Sequence, residues 1–258
     1  MDIVYIVKKN GIDNFELRCS LRSIAQYGVG IDNVFVVGDC PDWLSDEVIK
    51  IPHVQPYNGK LSQDQKNANI ASSVLKACMD KRVGDHFLVS MDDHYLTQST
   101  DFNNYPIHLR KYPYFWGKNS KYFTELPDRS VGVAYTDFLH RSRMRLKEQG
   151  LPHYNFTLHH NLHIWKQDIL DNFYTITNMI NTSEIAEIFV WAGNYRLHTG
   201  ELKLEDCLPI FDNKICGDHR EWYKSCDGYC FSTSDFEKDS YMYKLMERLY
   251  PNKCKYEK

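Results

Sequence analysis

Residues 87–96 read Phe-Leu-Val-Ser-Met-Asp-Asp-His-Tyr-Leu, a short apolar run that ends in two aspartates and a histidine. Such a run is typical of a strand buried on both faces of a sheet. Further short apolar runs at 3–7, 34–37 and 48–51 predict three more strands. With helical patterns between them, this order predicts an α/β fold in which helices cover both faces of a mostly parallel central sheet.

Helices are predicted from apolar residues that recur at helical intervals. Asp13 and Glu16 are spaced like a capping box, and apolar residues follow at helical spacing until Gly28. Residues 64–79 predict a second helix. The C-terminal half is predicted to be irregular and partly helical, with helices near 141–147, 168–188 and 235–249. We expect one domain over 1–258, formed by a ligand-binding α/β half at 1–100 and a closing half at 101–258.

Composition limits the classes of protein that this chain can belong to. The 258 residues are 43% hydrophobic and 25% charged, with 31 basic and 34 acidic side chains. These values exclude a disordered chain, a collagen and a coiled coil, and a net charge of −3 argues against bulk attraction to nucleic acid or anionic lipid. No apolar run approaches the about 18 residues of a membrane span. Eight cysteines are too sparse for a disulfide scaffold, so we expect a reduced, cytoplasmic protein without a membrane span.

The acidic motif after the fourth strand is the strongest candidate for a chemical site. Carboxylates at a strand end are ligands for Mg²⁺ or Mn²⁺, and an imidazole suits Mn²⁺ more than Mg²⁺. If the segment is extended, Asp92 and His94 share one face and would hold the metal, while Asp93 points the other way. Asp93 would then be left for a sugar or ribose hydroxyl. The alternative interpretation is a solvated turn, in which aspartate is common.

Several segments together resemble the GT-A-type glycosyltransferases, most closely the Stealth-like group of capsule-polysaccharide transferases. The resemblance covers most of the chain, and its main segments are 2–8, 17–24, 34–39, 41–44, 60–69, 87–96, 156–160 and 164–166. Asn161 stands where the family usually has proline. The resemblance implies a GT-A fold, a UDP-linked nucleotide-sugar donor and a bound Mn²⁺ or Mg²⁺, which would stabilise the leaving diphosphate.

Four side chains are candidates for contacts with the nucleotide-sugar. Lys8 follows the first strand and Arg22 lies on the polar face of the first helix, so both could contact the phosphates or the base. Lys66 and Asn67 match the Lys- and Asn-bearing helix of the family that the chain resembles. The alternative for Lys8 is a solvated loop, and for Arg22 it is an exposed helix face.

The general base is expected among residues of the middle of the chain. His159, in the segment that resembles the family's Leu-His-x-Pro block, is the first candidate for abstracting a proton from an acceptor hydroxyl. Asp137 and Glu184 are alternative bases. A packed histidine in a strand is the structural alternative for His159.

Residues 109–118 and 121–123 interleave cations with aromatics, and such a segment can contact sugars, phosphates or unstacked bases. We therefore expect transfer of a sugar to a glycan or another hydroxyl acceptor. Three alternatives stay open: transfer of a whole sugar phosphate, glycosylation of a hydroxymethylated DNA base, and a non-enzymatic glycan- or nucleic-acid-binding module.

Overall fold

A computed structural model provides the coordinates. It describes residues 1–8, 13–110, 125–130, 132–156, 160–210, 238 and 240–258, together with the backbone of 214–215 and 230–233. In these ranges the chain forms twelve strands and seven α-helices. The strands are β1 Asp2–Val7, β2 Gly28–Val29, β3 Val34–Gly38, β4 Val48–Pro52, β5 His86–Met91, β6 His94–Leu96, β7 Thr100–Asp101, β8 Ile107–Arg110, β9 Leu162–Trp165, β10 Cys207–Ile210, β11 Lys214–Ile215 and β12 Cys230–Thr233. The helices are α1 Phe15–Tyr27, α2 Gln63–Met79, α3 Ala134–Glu148, α4 Lys166–Asp171, α5 Phe173–Thr182, α6 Ile188–Thr199 and α7 Tyr241–Leu249.

The central sheet has five strands in the order β4-β3-β1-β5-β9. The first four are mutually parallel, and β9 pairs antiparallel with β5 at the edge. Every residue of β1 is buried, as expected for a strand covered on both faces. The prediction of an α/β fold with a mostly parallel sheet is therefore confirmed.

Helices cover the two faces of this sheet in two separate layers. On one face, Leu17 and Leu21 of α1 pack with Tyr5 of β1 in one apolar cluster. On the other face, Ala71 of α2 packs with Ile6 of β1 in a larger cluster that also contains apolar residues of α3 to α6. The helix that follows β1 lies on one face of the sheet, and the helix that precedes β5 lies on the other face. The winding direction of the chain therefore reverses between β1 and β5.

Two local predictions about helices are wrong. Asp13 does not cap α1: Asn14 precedes the helix in a left-handed conformation without a side-chain cap, and Asp13 pairs with Arg18 at 2.8 Å. A capping box occurs instead at α2, between Ser62 and Gln65. The single helix predicted over 168–188 is divided into α4 and α5, and α6 begins only at residue 188.

The backbone at the end of α5 explains why this helix does not continue to residue 188. Ser183 adopts a left-handed conformation with φ 53°, which ends the helix, although the apolar periodicity continues to Ile185 and Ile188. Those two side chains are buried in the same core without belonging to one continuous helix. The helix predicted near 141–147 lies within α3, as expected.

Candidate functional site

The candidate site lies where the winding direction of the sheet reverses. Ile6 of β1 pairs with Met91 of β5 in parallel register, so both strands end at the same edge. Lys8 follows β1 there and is exposed, and Asp92 follows β5. Ligands of open α/β sheets bind beyond the carboxyl ends of the strands at such a reversal. The structure therefore brings Lys8 and the acidic motif to one edge, as the sequence predicted.

The acidic motif itself is a turn and not an extended segment. Asp92 and Asp93 form a two-residue turn between β5 and β6, so the prediction of an extended segment is wrong, and strand alternation no longer argues that Asp92 and His94 share one face. The backbone N–H of Met91 donates to Nδ1 of His94 at 3.4 Å. The other ring nitrogen, Nε2, lies 3.9 Å from Oδ1 of Asp93. His94 is buried, and its ring lies beside Asp93, the aspartate that was predicted to point away from it.

Hydroxyl groups of α1 hold the strand that leaves this turn. The Ser20 hydroxyl donates to the backbone carbonyl of His94 and lies 2.9 Å from the hydroxyl of Tyr5. Two residues further on, the N–H of Leu96 donates to the hydroxyl of Ser23 at 3.1 Å. β6 pairs with β12 and not with β5, and the hydroxyls of α1 add hydrogen-bond partners for backbone groups of β6. The turn is thus fixed from the α1 side of the sheet.

Two neighbouring carboxylates add to the effect of burial on Asp92 at this edge. Burial raises the pKa of Asp92 well above its ordinary value, and the negative charges of Asp93 and Glu16 raise it further. Glu16 lies in the first turn of α1, and the sequence suggested only a capping role for it. Its approach to Asp92 depends on the packing of α1 against the sheet, which no local pattern reveals. A cation bound at this turn would lower the cost of ionising Asp92.

The donor set fits a metal ion that is shared with a phosphate ligand. Within the described ranges, no three His, Cys, Asp or Glu side chains converge into a group that could hold a metal by themselves. Mg²⁺, however, usually binds through one or two carboxylates together with substrate phosphates and waters. Asp92, with its neighbour Asp93, provides that number of carboxylates. The assignment of the metal to Asp92 and His94 is not tested by the structure and stays a prediction.

Arg22 is engaged elsewhere in the protein. Its Nε and Nη2 donate to the two carboxylate oxygens of Glu257 at 2.7 and 2.8 Å, and its Nη1 donates to the carbonyl of Tyr250 at 3.0 Å. These bonds fasten the C-terminal segment to α1. Three of the five N–H donors of the guanidinium are thus engaged with the C-terminal segment.

The remaining candidates lie on the face of the sheet opposite α1. Lys66 is exposed in the first turns of α2, whereas Asn67 is buried and its amide donates to the carbonyl of Gln63 in the same helix at 2.9 Å. Asp137 lies in the first turn of α3, where its Oδ1 accepts hydrogen bonds from Ser130 and from the N–H of Gly132. These contacts give Asn67 and Asp137 local structural roles.

Two sequence predictions fall on residues that the structure does not describe. His159, the first candidate for the general base, lies outside the described residues. Most of the aromatic and basic segment at 109–123 also lies outside them, apart from the end of β8. Both predictions stay predictions.

The chain matches no protein-family model and none of the curated proteins. Among the helices that are described, none has both the length and the apolar character required to cross a bilayer.

Proposed function

We propose that this protein is a metal-dependent glycosyltransferase that takes a sugar from a nucleotide-sugar bound at the edge where β1 and β5 end. The observation that carries the proposal is the position of the acidic turn. Asp92 and Asp93 follow β5 directly at the reversal of the winding direction, beside the end of β1. This is the place where open α/β sheets bind their ligands, and the sequence resemblance to GT-A-type transferases points to the same residues.

The residues at this edge have complementary tasks in the proposed reaction. Lys8 is a cation in reach of solvent at the end of β1 and would attract the diphosphate. Asp92 and Asp93 would hold a Mn²⁺ or Mg²⁺ ion, which supplies Lewis-acid stabilisation of the departing nucleoside diphosphate. The buried ring of His94 lies beside Asp93, with its Nε2 3.9 Å from Oδ1. The α1 hydroxyls keep the backbone of the turn in place.

The decisive experiment measures UDP binding by calorimetry with and without Mn²⁺. We expect binding that requires the metal and disappears in excess EDTA. Asp92→Asn should weaken the binding at least about tenfold, because it removes a negatively charged ligand. Asp85→Asn is the matched control: Asp85 is an exposed aspartate directly before the same strand, at its opposite end, and its replacement should leave binding unchanged. Equal UDP binding in EDTA, or by Asp92→Asn, would contradict the proposal.

The products distinguish glycosyl transfer from two of the three alternatives that the sequence leaves open, which are sugar-phosphate transfer and a non-enzymatic binding module. Incubation with nucleotide-sugars and Mn²⁺ should release a nucleoside diphosphate if a sugar is transferred or hydrolysed. Release of a nucleoside monophosphate would indicate transfer of a sugar phosphate instead. A glycan- or nucleic-acid-binding module would release neither and would show no metal-dependent affinity for UDP.

A further inference from the structure

The strand that leaves the acidic turn is covered by α7. Tyr95, the middle residue of β6, is fully buried. It belongs to one apolar cluster with Cys19 of α1 and with Met242, Leu245 and Met246 of α7. β6 is thus packed against two helices, of which one follows β1 and the other lies near the end of the described chain.

Tyr250, the residue directly after α7, adds a hydrogen bond to this strand. Its hydroxyl donates to the carbonyl of Leu96 at 2.7 Å across 154 positions of the chain. Its ring stacks on that of Tyr95, with centroids 6.1 Å apart and planes 19° apart. Tyr250 is 2% exposed, and its own carbonyl accepts from Nη1 of Arg22 of α1 at 3.0 Å. The hydroxyl therefore donates from a fixed position, and removing it would deprive a buried carbonyl of its donor.

Side chains therefore reach the backbone of β6 at both ends of the strand. Ser20 donates to the carbonyl of His94 at its beginning. At its end, the N–H of Leu96 donates to Ser23, while the carbonyl of the same residue accepts from Tyr250. β12 pairs with the strand as well. Because β5 is fixed in the central sheet, the position of β6 decides the shape of the two-residue turn between them.

The proposed metal site depends on the shape of this turn. A binding site works only when its side chains are held within about 0.5 Å of the productive geometry by the residues that support them. Leu96 is three residues from Asp93, which corresponds to about 10 Å of extended chain. A displacement of β6 at Leu96 is therefore transmitted to Asp92 and Asp93 over a short and largely extended segment.

We propose that Tyr250 is a positioning residue of the site for the metal ion and the nucleotide. Its hydroxyl holds the carbonyl of Leu96 and, through β6, keeps the acidic turn in the conformation that binds the ion. Tyr250 itself contacts neither the ion nor the nucleotide in this role. The inference rests on the proposed function, because it assigns a task in the binding of the same ligands.

The experiment compares the full chain with its Tyr250→Phe variant, which loses the hydroxyl but keeps the ring that stacks on Tyr95. Calorimetry with UDP in the presence of Mn²⁺ should show an affinity that is about two- to thirtyfold lower in the variant, the range found for residues that act on a site indirectly. Amide hydrogen exchange at 92–96 should become faster, because Leu96 has lost a donor.

Tyr57→Phe is the matched control. The hydroxyl of Tyr57 also donates to backbone carbonyls at 2.8 Å, but it belongs to the opposite face of the sheet and does not contact β6. Its removal should lower the free energy of unfolding as Tyr250→Phe does, yet leave the affinity for UDP unchanged. The comparison separates a loss of stability from a loss of positioning.

The unmodified protein provides a second test that does not require a variant to fold. Coupling between two places in a protein is reciprocal, so UDP with Mn²⁺ should slow hydrogen exchange of the Tyr250 amide more than that of the Ser183 amide at the end of α5. If the unmodified protein does not bind UDP with Mn²⁺, the proposed function fails and the inference is overturned with it. If it binds UDP but Tyr250→Phe binds equally well, or Tyr57→Phe is weakened as much, only the positioning role is wrong. Equal slowing of both amides would contradict that role as well.

Discussion

The buried carboxylate of Glu257 allows a quantitative test of how the C-terminal segment is held. Only 1% of its side chain is exposed, and Arg22 donates to both of its oxygens at 2.7 and 2.8 Å. Arg18 and the N–H of Cys254 add hydrogen bonds of 3.2 Å each. This single carboxylate therefore joins α1 to the end of the chain.

The expected cost of replacing Glu257 by Ala follows from these contacts. Removal of one partner of a buried ion pair costs about 3–5 kcal/mol, because the other charge is left without compensation. Arg22 and Arg18 keep side-chain exposures of 14% and 23%, so water can partly rehydrate both guanidinium groups. We therefore expect the lower end of the range, a loss of about 3 kcal/mol in the free energy of unfolding.

Urea denaturation at pH 7 measures this loss. Glu201→Ala is the matched control: Glu201 pairs with Arg196 at 3.3 Å but is 66% exposed, so its removal should cost less than about 1 kcal/mol. A loss below about 1 kcal/mol for Glu257→Ala would refute the reasoning. So would the absence of a coupling energy between Glu257→Ala and Arg22→Gln in a double-mutant cycle.

The pH dependence of the same pair gives a second check. Burial alone would raise the pKa of Glu257, but the hydrogen bonds from Arg22, Cys254 N–H and Arg18 outweigh it and lower the pKa below its ordinary value. The stabilisation is therefore fully present above about pH 4.5 and is lost as the pH falls through the lowered pKa. The stability difference between the unmodified protein and Glu257→Ala should narrow accordingly in acid.

Two further predictions concern the edge of the sheet that carries the acidic turn and the edge formed by β9. Ser20→Ala should lower the free energy of unfolding by about 1–3 kcal/mol, since it leaves the buried carbonyl of His94 without its donor, and hydrogen exchange should become faster in β6. Ser73→Ala, which removes only a bond within α2, is its control, and equal effects would contradict a special role for Ser20. Burial lowers the pKa of His163 to about 3. Between about pH 6.5 and pH 3 this histidine is therefore protonated in the unfolded chain and neutral in the folded chain. The free energy of unfolding should therefore fall from pH 6.5 toward pH 3 by up to about 1.4 kcal/mol per pH unit because of this group. His163→Phe should reduce that slope, as measured by urea denaturation of both proteins in the presence of a chelator.

The strands of the parallel sheet could be predicted from sequence because their signal is local. A run such as 3–7 is apolar at every position, and only a strand covered on both faces buries all of these side chains at once. The position of the acidic motif was equally predictable, because a residue that follows a parallel strand must lie at the carboxyl edge. Lys8 and Asp92 meet that expectation.

Backbone conformations between the elements were not predictable in the same way. Apolar spacing over 168–188 indicates which side chains are buried, but it does not show that Ser183 turns the chain and ends α5. The spacing of Asp13 and Glu16 likewise indicates a capping box. In the structure, however, Asn14 precedes the helix with a left-handed backbone conformation and without a side-chain cap. In both cases tertiary packing overrides a local preference worth only about 1 kcal/mol.

The sequence by itself determined the α/β class, the parallel strands and the edge at which the acidic residues lie. Only the tertiary structure decided which partners the charged and polar side chains have. Arg22 meets Glu257 across 235 positions of the chain, and His108 meets His160 only because β8 lies beside β9. The physical reason is that hydrophobic burial follows a repeating pattern along the chain, whereas ion pairs and ring contacts join single atoms whose distance is set by the packing of whole elements.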